Sequence, residues 1–202
     1  MIKIHKLNKA YGEKILFYDY CLDIGTNEFI IFSGVSGCGK TTLLNMIGAL
    51  EKIDSGKILI DDVDITQRKN QLKYFGYKVG FLFQNFALIE DKTVLENLKL
   101  IKKSNQSGIS IEEALNRVGL ESKINNKIYT LSGGEQQRIA LARLMIKKCD
   151  LILADEPTGS LDKKNTEIVM KILTDMNNEG KTVIVVTHDE GVKKMGRRII
   201  EL

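Results

Sequence analysis

The sequence predicts an α/β fold: a mostly parallel sheet covered on both sides, with a helical subdomain inserted into it. Three observations predict it. Strand-length apolar runs recur at residues 29–33, 57–61, 78–83, 151–154 and 182–187. Several of these are apolar on both faces, as strands of a covered parallel sheet are. Helix-length segments alternate with them, which is the signature of α/β layering. Between residues 85 and 148 the strand signals give way to helix signals.

Taken in order, the run at 29–33 leads into a glycine-rich turn and a helix over 39–50. Within the middle stretch, helices are expected over 93–102, 110–118 and 132–147. Ser110 and Glu113 bracket the second start, and Ser132 and Glu135 the third, each in the spacing of a capping box. After the run at 151–154, Ile168, Val169, Ile172, Leu173 and Met176 recur at helical spacing, and Gly180 falls where that helix would end. One proline, no low-complexity linker and no internal repeat favour a single domain over 1–202. Its α/β core comprises 1–84 and 149–202, and its helical subdomain 85–148.

Hydrophobic residues make up 43% and charged residues 28% of the 202, so the chain can bury a core and is not disordered. Cys21, Cys38 and Cys149 match no disulfide or zinc spacing, and His5 and His188 are too scattered for a metal cluster. Free thiols in a reducing compartment are expected. Residues 1–17 are interrupted by Lys3, His5, Lys6 and Lys9, unlike a signal peptide. No run approaches the ~18 apolar residues of a membrane span, so any work at a membrane would go through a partner. The net charge of +4 is small, and the basic pairs at 147–148, 193–194 and 197–198 lack interleaved aromatics, so no nucleic-acid partner is expected.

Gly34-Val35-Ser36-Gly37-Cys38-Gly39-Lys40-Thr41 fits the G-x-x-x-x-G-K-[ST] phosphate loop, in the strand–loop–helix setting the motif requires. Polyphosphate needs many backbone N–H donors on one concave surface, and glycine lets the chain approach it. A helix N-terminus adds partial positive charge. Lys40 would reach the β- and γ-phosphates, and the Thr41 hydroxyl would ligate Mg²⁺. Cys38 reads either as a small filler or as a thiol whose modification would block the site. Asp155 and Glu156 end an apolar strand, where α/β sheets bind ligands. Adjacent strand residues face opposite sides. Asp155 therefore suits the Mg²⁺ shell, and Glu156 a general base acting on water.

Leu131-Ser132-Gly133-Gly134-Glu135-Gln136-Gln137-Arg138 offers backbone N–H groups at a second helix start. One chain thus carries two phosphate-binding surfaces. This stretch resembles the signature sequence of ATP-binding cassette (ABC) ATPases. The other elements follow in that family's order: Tyr11, the phosphate loop, Gln84, the signature, Asp155-Glu156-Pro157-Thr158-Gly159, Ser160-Leu161-Asp162 and His188.

The resemblance spans nearly the whole chain. It implies a P-loop NTPase fold: a RecA-like core, an antiparallel β portion near the N-terminus and a helical subdomain carrying the signature. It implies a head-to-tail dimer, with ATP between the phosphate loop of one copy and the signature of the other. Tyr11 would stack on adenine. Gly34, Ser36, Gly37, Cys38, Gly39, Lys40, Thr41 and Thr42 would hold phosphate. Thr41, Gln84 and Asp155 would serve Mg²⁺. Ser132, Gly133 and Gly134 would cap the γ-phosphate of the opposite copy's ATP, and Asp162 would lie at the seam. Glu156, His188, Gln84 and Lys40 would carry hydrolysis.

The implied function is the ATP-hydrolysing subunit of a transporter, peripheral on the cytoplasmic face of the membrane and paired with a membrane-spanning permease. Residues 43–50 and 83–86 resemble the macrolide-exporter and lipoprotein-release branch, and residues 85–98 the lactococcin-972-type bacteriocin export subgroup. The chain ends shortly after His188, so no appended regulatory domain is expected. The alternative is a non-transport ABC ATPase acting on ribosome or DNA. Such proteins usually carry two cassettes with a basic linker, or a long coiled coil between phosphate loop and signature. Neither pattern is present.

Overall fold

A computed structural model describes residues 1–159 and 161–202. Ser160 lies outside the described residues. The chain opens with two long strands, β1 (Ile2–Tyr11) and β2 (Lys14–Ile24), then β3 (Phe29–Ser33) and α1 (Lys40–Ile47). Next come β4 (Ser55–Ile60), β5 (Val63–Asp64), α2 (Arg68–Tyr77) and β6 (Val79–Leu82). Three helices follow before the sheet resumes: α3 (Val94–Leu98), α4 (Ile111–Val118) and α5 (Gly133–Ile146). The last part is β7 (Leu151–Asp155), α6 (Lys163–Asn178), β8 (Thr182–Val186), α7 (Glu190–Lys193) and β9 (Arg198–Glu201).

Two sheets result. The order β6-β7-β8-β3-β9 forms one, parallel at every pairing. Every residue of β3 and β8 is buried, as strands covered on both faces must be. Alternate residues feed two cores. Phe29, Ile31, Ile152, Ala154, Val183 and Val185 pack with α4, α5 and α6. Ile30, Phe32, Leu151, Leu153, Ile184 and Val186 pack with α1 and the second sheet. That second sheet is antiparallel, in the order β2-β1-β4-β5.

The run at 57–61 differs from the expectation of a parallel strand. It pairs antiparallel with β1, Ile2 opposite Ile60 and Ile4 opposite Ile58. Only Ile58 and Ile60 of β4 are buried, so the strand has one wet face and cannot be an inner strand of the covered sheet. The segment at 93–102 is helical only over Val94–Leu98. There the buried Asn97 side chain bonds to Ile89 and Thr93 rather than facing solvent. Several helix starts are capped by a side chain, the expected Ser110 and Ser132 among them. Ser132 and Glu135 cap each other reciprocally, as do Thr93 and Glu96, whereas Ser110 accepts from Glu113 N without the return bond.

The register of the parallel sheet places the site. Phe32 pairs with Val186, and Val186 with Asp155. The loops after β3, β7 and β8 therefore leave the sheet at one level, at its carboxyl edge. Among the described residues no helix is long and apolar enough to cross a membrane.

Candidate functional site: a phosphate loop facing an acidic strand end

The loop after β3 must bend sharply to reach α1, and Gly34 makes that possible. Its φ is +144°, and a Cβ there would lie 2.5 Å from the Leu202 carbonyl oxygen and 2.9 Å from Cys38 Sγ. Tyr11, Lys14, Leu16, Ser36, Gly37, Gly39, Lys40, Thr41, Thr42, Glu156 and Val186 line one cavity of about 370 Å³. Gly34, Ser36, Lys40, Glu156 and His188 line a recess beside it. The Lys40 ammonium donates to the carbonyls of Gly34 and Val35, both at 2.9 Å, and lies 3.7 Å from Cys38 Sγ. Cys38 is thus packed inside the loop, beneath the lysine.

Opposite the loop, Thr41 Oγ1 donates to Asp155 Oδ1 at 3.0 Å. Burial pushes the Asp155 carboxyl above its ordinary range, and the nearby Glu156 charge adds to that. The Thr41 hydrogen bond and Lys40 oppose both. Glu156 leaves the strand with φ +43°, a conformation a side-chain-bearing residue rarely adopts. It turns its carboxylate to His188, with Oε1 2.8 Å from Nδ1. His188 is largely exposed, whereas Glu156 is mostly buried. Gln84 follows β6, and its Nε2 lies beside Gly159 on the loop after Glu156.

Ser132, Gly133 and Gly134 line neither recess. They open α5, where Ser132 accepts from Glu135 N and the Glu135 carboxylate accepts from Ser132 N at 2.8 Å. The hydrogen bond from the Ser132 N–H holds the Glu135 carboxyl below its usual range. From the same helix the buried Gln137 donates to the Pro157 carbonyl at 2.7 Å, tying α5 to the loop that carries Glu156. Asp162 caps α6.

Sequence reasoning missed Lys14, Leu16 and Val186. Lys14 donates to the Gly37 carbonyl at 3.1 Å. Its signal was present, since it sits across a two-residue turn from Tyr11 and pairs with it in the β1–β2 hairpin. In sequence, Lys9 reads only as a charge near the N-terminus. It is buried, and its ammonium lies 4.6 Å from the centre of the Tyr11 ring.

A family profile described as ABC transporter matches residues 18–159. The chain therefore belongs to the ABC transporter family, as one of its ATP-binding cassettes. Over its whole length it is 41% identical to an uncharacterized ABC transporter ATP-binding protein of Methanocaldococcus jannaschii, MJ0796, and spans 93% of that relative. It is 37% identical to the lipoprotein-releasing system ATP-binding protein LolD of Bacteroides thetaiotaomicron, spanning 96% of it. Identity is also 37% with the macrolide export ATP-binding/permease protein MacB of Campylobacter jejuni, but the chain spans only 33% of that relative's length. The fold matches the solved dimeric structure of MJ0796 with a TM-score of 0.88, covering all of this chain and 94% of that one. It matches a post-hydrolysis dimer of MJ0796 bound to ADP and phosphate with a TM-score of 0.86 at 40% identity.

Proposed function

We propose that the chain binds ATP with Mg²⁺, hydrolyses it, and drives a membrane-spanning permease as one of two cassettes in an ATP-sandwich dimer. One observation carries this reading. A phosphate loop and a carboxylate–histidine pair face one recess, while the signature helix start lies outside it. A site built for one γ-phosphate is thus left with half its donors on another surface, which suits completion by a second copy. The relative solved as a dimer, and the one solved with ADP and phosphate, support the same reading.

In the proposed division of labour, the Tyr11 ring takes adenine, and the loop N–H groups with Lys40 take the phosphates. Thr41 and Asp155, a hydroxyl and a half-buried carboxylate in contact, form the hard oxygen donor set Mg²⁺ prefers, with Gln84 as a further oxygen ligand. Mg²⁺ there would neutralise charge developing on the phosphate oxygens. Glu156 accepts a proton as water oxygen bonds to the γ-phosphorus. The bond to the bridging oxygen breaks, releasing ADP and phosphate. His188, whose Nδ1 meets Glu156, lines the same recess as Lys40 and contacts the γ-phosphate. Ser132, Gly133 and Gly134 cap the γ-phosphate held by the other copy. Loss of that phosphate removes the contact that closes the dimer. The α/β core (1–84 and 149–202) binds, and the helical part (85–148) relays.

Relatives named for lipoprotein release and macrolide export support a permease partner, and hence a position on the cytoplasmic face of the membrane. The test is to tag Glu156→Gln, express it in its own host, and solubilise membranes in mild detergent with ATP. A multi-span membrane protein recovered in near-equal amount is expected. Recovery alone, or with ribosomes or DNA, would overturn the transporter reading and leave the ATPase.

A further inference from the structure

A buried lysine lies against the ring assigned to adenine. Lys9 and Tyr11 are two residues apart on β1, on one side of the strand. Lys9 is 6% exposed, and a buried ammonium is costly unless it is fully partnered. Its Nζ donates to Glu51 Oε1 at 2.6 Å and to the Lys52 carbonyl at 2.8 Å, with Asp54 Oδ1 at 3.9 Å. Asp54 in turn accepts from the Ala10 backbone N–H at 2.8 Å. The same ammonium sits 4.6 Å from the Tyr11 ring centre. The ring itself is half exposed, and its hydroxyl lies within hydrogen-bonding reach of the same Glu51 carboxylate that holds Lys9. Glu51 and Lys52 lie just beyond α1, the helix whose other end is the phosphate loop.

From this arrangement, and resting on the ATP reading above, we propose that Lys9 is a positioning and specificity residue for the base. Held by Glu51 and the Lys52 carbonyl, its ammonium occupies one face of the Tyr11 ring and leaves the other to the nucleotide. A cation on one face fixes the ring plane and draws π-electron density toward itself. The free face then stacks better on an electron-rich purine. The anchoring through Glu51 sets the distance between ring and phosphate loop, because both are fixed to the two ends of α1. Lys9 touches neither the reacting atoms nor the phosphates, so its effect falls on base affinity and not on the chemical step.

The test compares binding of ATP with binding of inorganic tripolyphosphate, which has no base. Lys9→Met should weaken ATP binding roughly tenfold, within the range of a desolvated cation–π contact. Tripolyphosphate binding should be unchanged. The rate at saturating ATP should be retained while KM rises, and Lys9→Arg should restore affinity. In a Tyr11→Ala background, Lys9→Met should have no further effect. Should Lys9→Met fold poorly with Glu51 left unpaired, Lys9→Met/Glu51→Gln removes both charges and is expected to give the same selective loss. ATP affinity equal to the wild type would overturn the proposal. So would an equal loss for ATP and tripolyphosphate, or a tenfold loss that persists without Tyr11. A wild-type chain that binds neither compound would overturn the nucleotide reading with it.

Discussion

Gly134→Ala is a sharp test of how the signature helix is seated. A Cβ on Gly134 would fall 2.7 Å from Cγ and Oδ1 of Asn165 and 2.9 Å from its Nδ2. The obstacle is a whole amide group, not a flexible tip. Asn165 is also held: its N–H donates to Asp162 Oδ1 at 2.8 Å and its Nδ2 to Asp162 Oδ2 at 3.0 Å, while Arg138 donates to its Oδ1. To admit the methyl, the amide must leave two hydrogen bonds to charged partners. Of the two, the bond from the half-buried Arg138 contributes about 1.5–3 kcal/mol, and the one to the exposed Asp162 little. Asp162 is exposed and Asn165 half-buried, so water recovers part of that. Relief of the glycine helix penalty returns up to ~1 kcal/mol. The net expectation is a loss of about 2 kcal/mol, or roughly 4–8 °C in melting temperature for a chain of this size. The assay is thermal unfolding of Gly134→Ala, Asn165→Ala and the double variant. In the Asn165→Ala background the added methyl should cost nothing and recover up to ~1 kcal/mol of the glycine penalty, giving a coupling of about 2–3 kcal/mol. A single variant as stable as the wild type, or equal costs in both backgrounds, would refute the reasoning.

Three further outcomes are expected. Glu156→Gln keeps the size of the side chain but removes its ability to take a proton, so steady-state turnover should fall ~10²–10⁴-fold while ATP binding persists. Phosphate-release kinetics check this, and near wild-type turnover would remove Glu156 as the base. Thr41→Val deletes the hydroxyl that meets Asp155, and should raise the Mg²⁺ concentration for half-maximal hydrolysis without lowering the melting temperature much. A titration unchanged from wild type would remove Thr41 from the metal site. The Glu135 carboxyl is held below its usual range, so its capping contribution is full above the unfolded value of about 4.3 and is lost as pH falls below it. Denaturant unfolding at pH 6 and pH 3.5 should therefore show a larger acid loss for wild type than for Glu135→Gln, which still caps but does not titrate.

The parallel sheet was legible because its strands are buried on both faces, which writes unbroken runs of Ile, Val, Leu and Phe into the sequence. The antiparallel sheet was not legible from residue pattern alone. In β1 the alternation Ile2, Ile4 shifts phase at Lys6, which has φ +44°, so that Leu7 and Lys9 are buried instead. A bulge of this kind breaks the period of two on which such a reading depends. Most of β2 is exposed or half-exposed, so its strand character comes from pairing with β1 and not from burial. Helix α2 buries only Tyr74 and has no capping side chain, so it leaves little periodic trace. The β9 strand buries none of its residues fully, and its order comes from parallel pairing with β3. At the site, the motif stands out in sequence because phosphate chemistry would restrict the residue types, and the structure gathers Tyr11, Lys40, Thr41 and Glu156 around one cavity. Lys9 does not stand out, because its role arises from tertiary contacts with Glu51 and the Lys52 carbonyl, and a lysine in sequence reads as solvated surface.

The central claim is that the site is completed by a second copy, and mixing two inactive variants tests it most directly. Lys40→Ala lacks a working phosphate loop, and Ser132→Arg blocks the signature. Each alone should hydrolyse little ATP. Mixed in equal amounts, half of the dimers pair unlike chains and have one of two sites whole, so roughly a quarter of wild-type turnover should return. No recovery on mixing, or full activity of Ser132→Arg alone, would contradict a site shared between two chains.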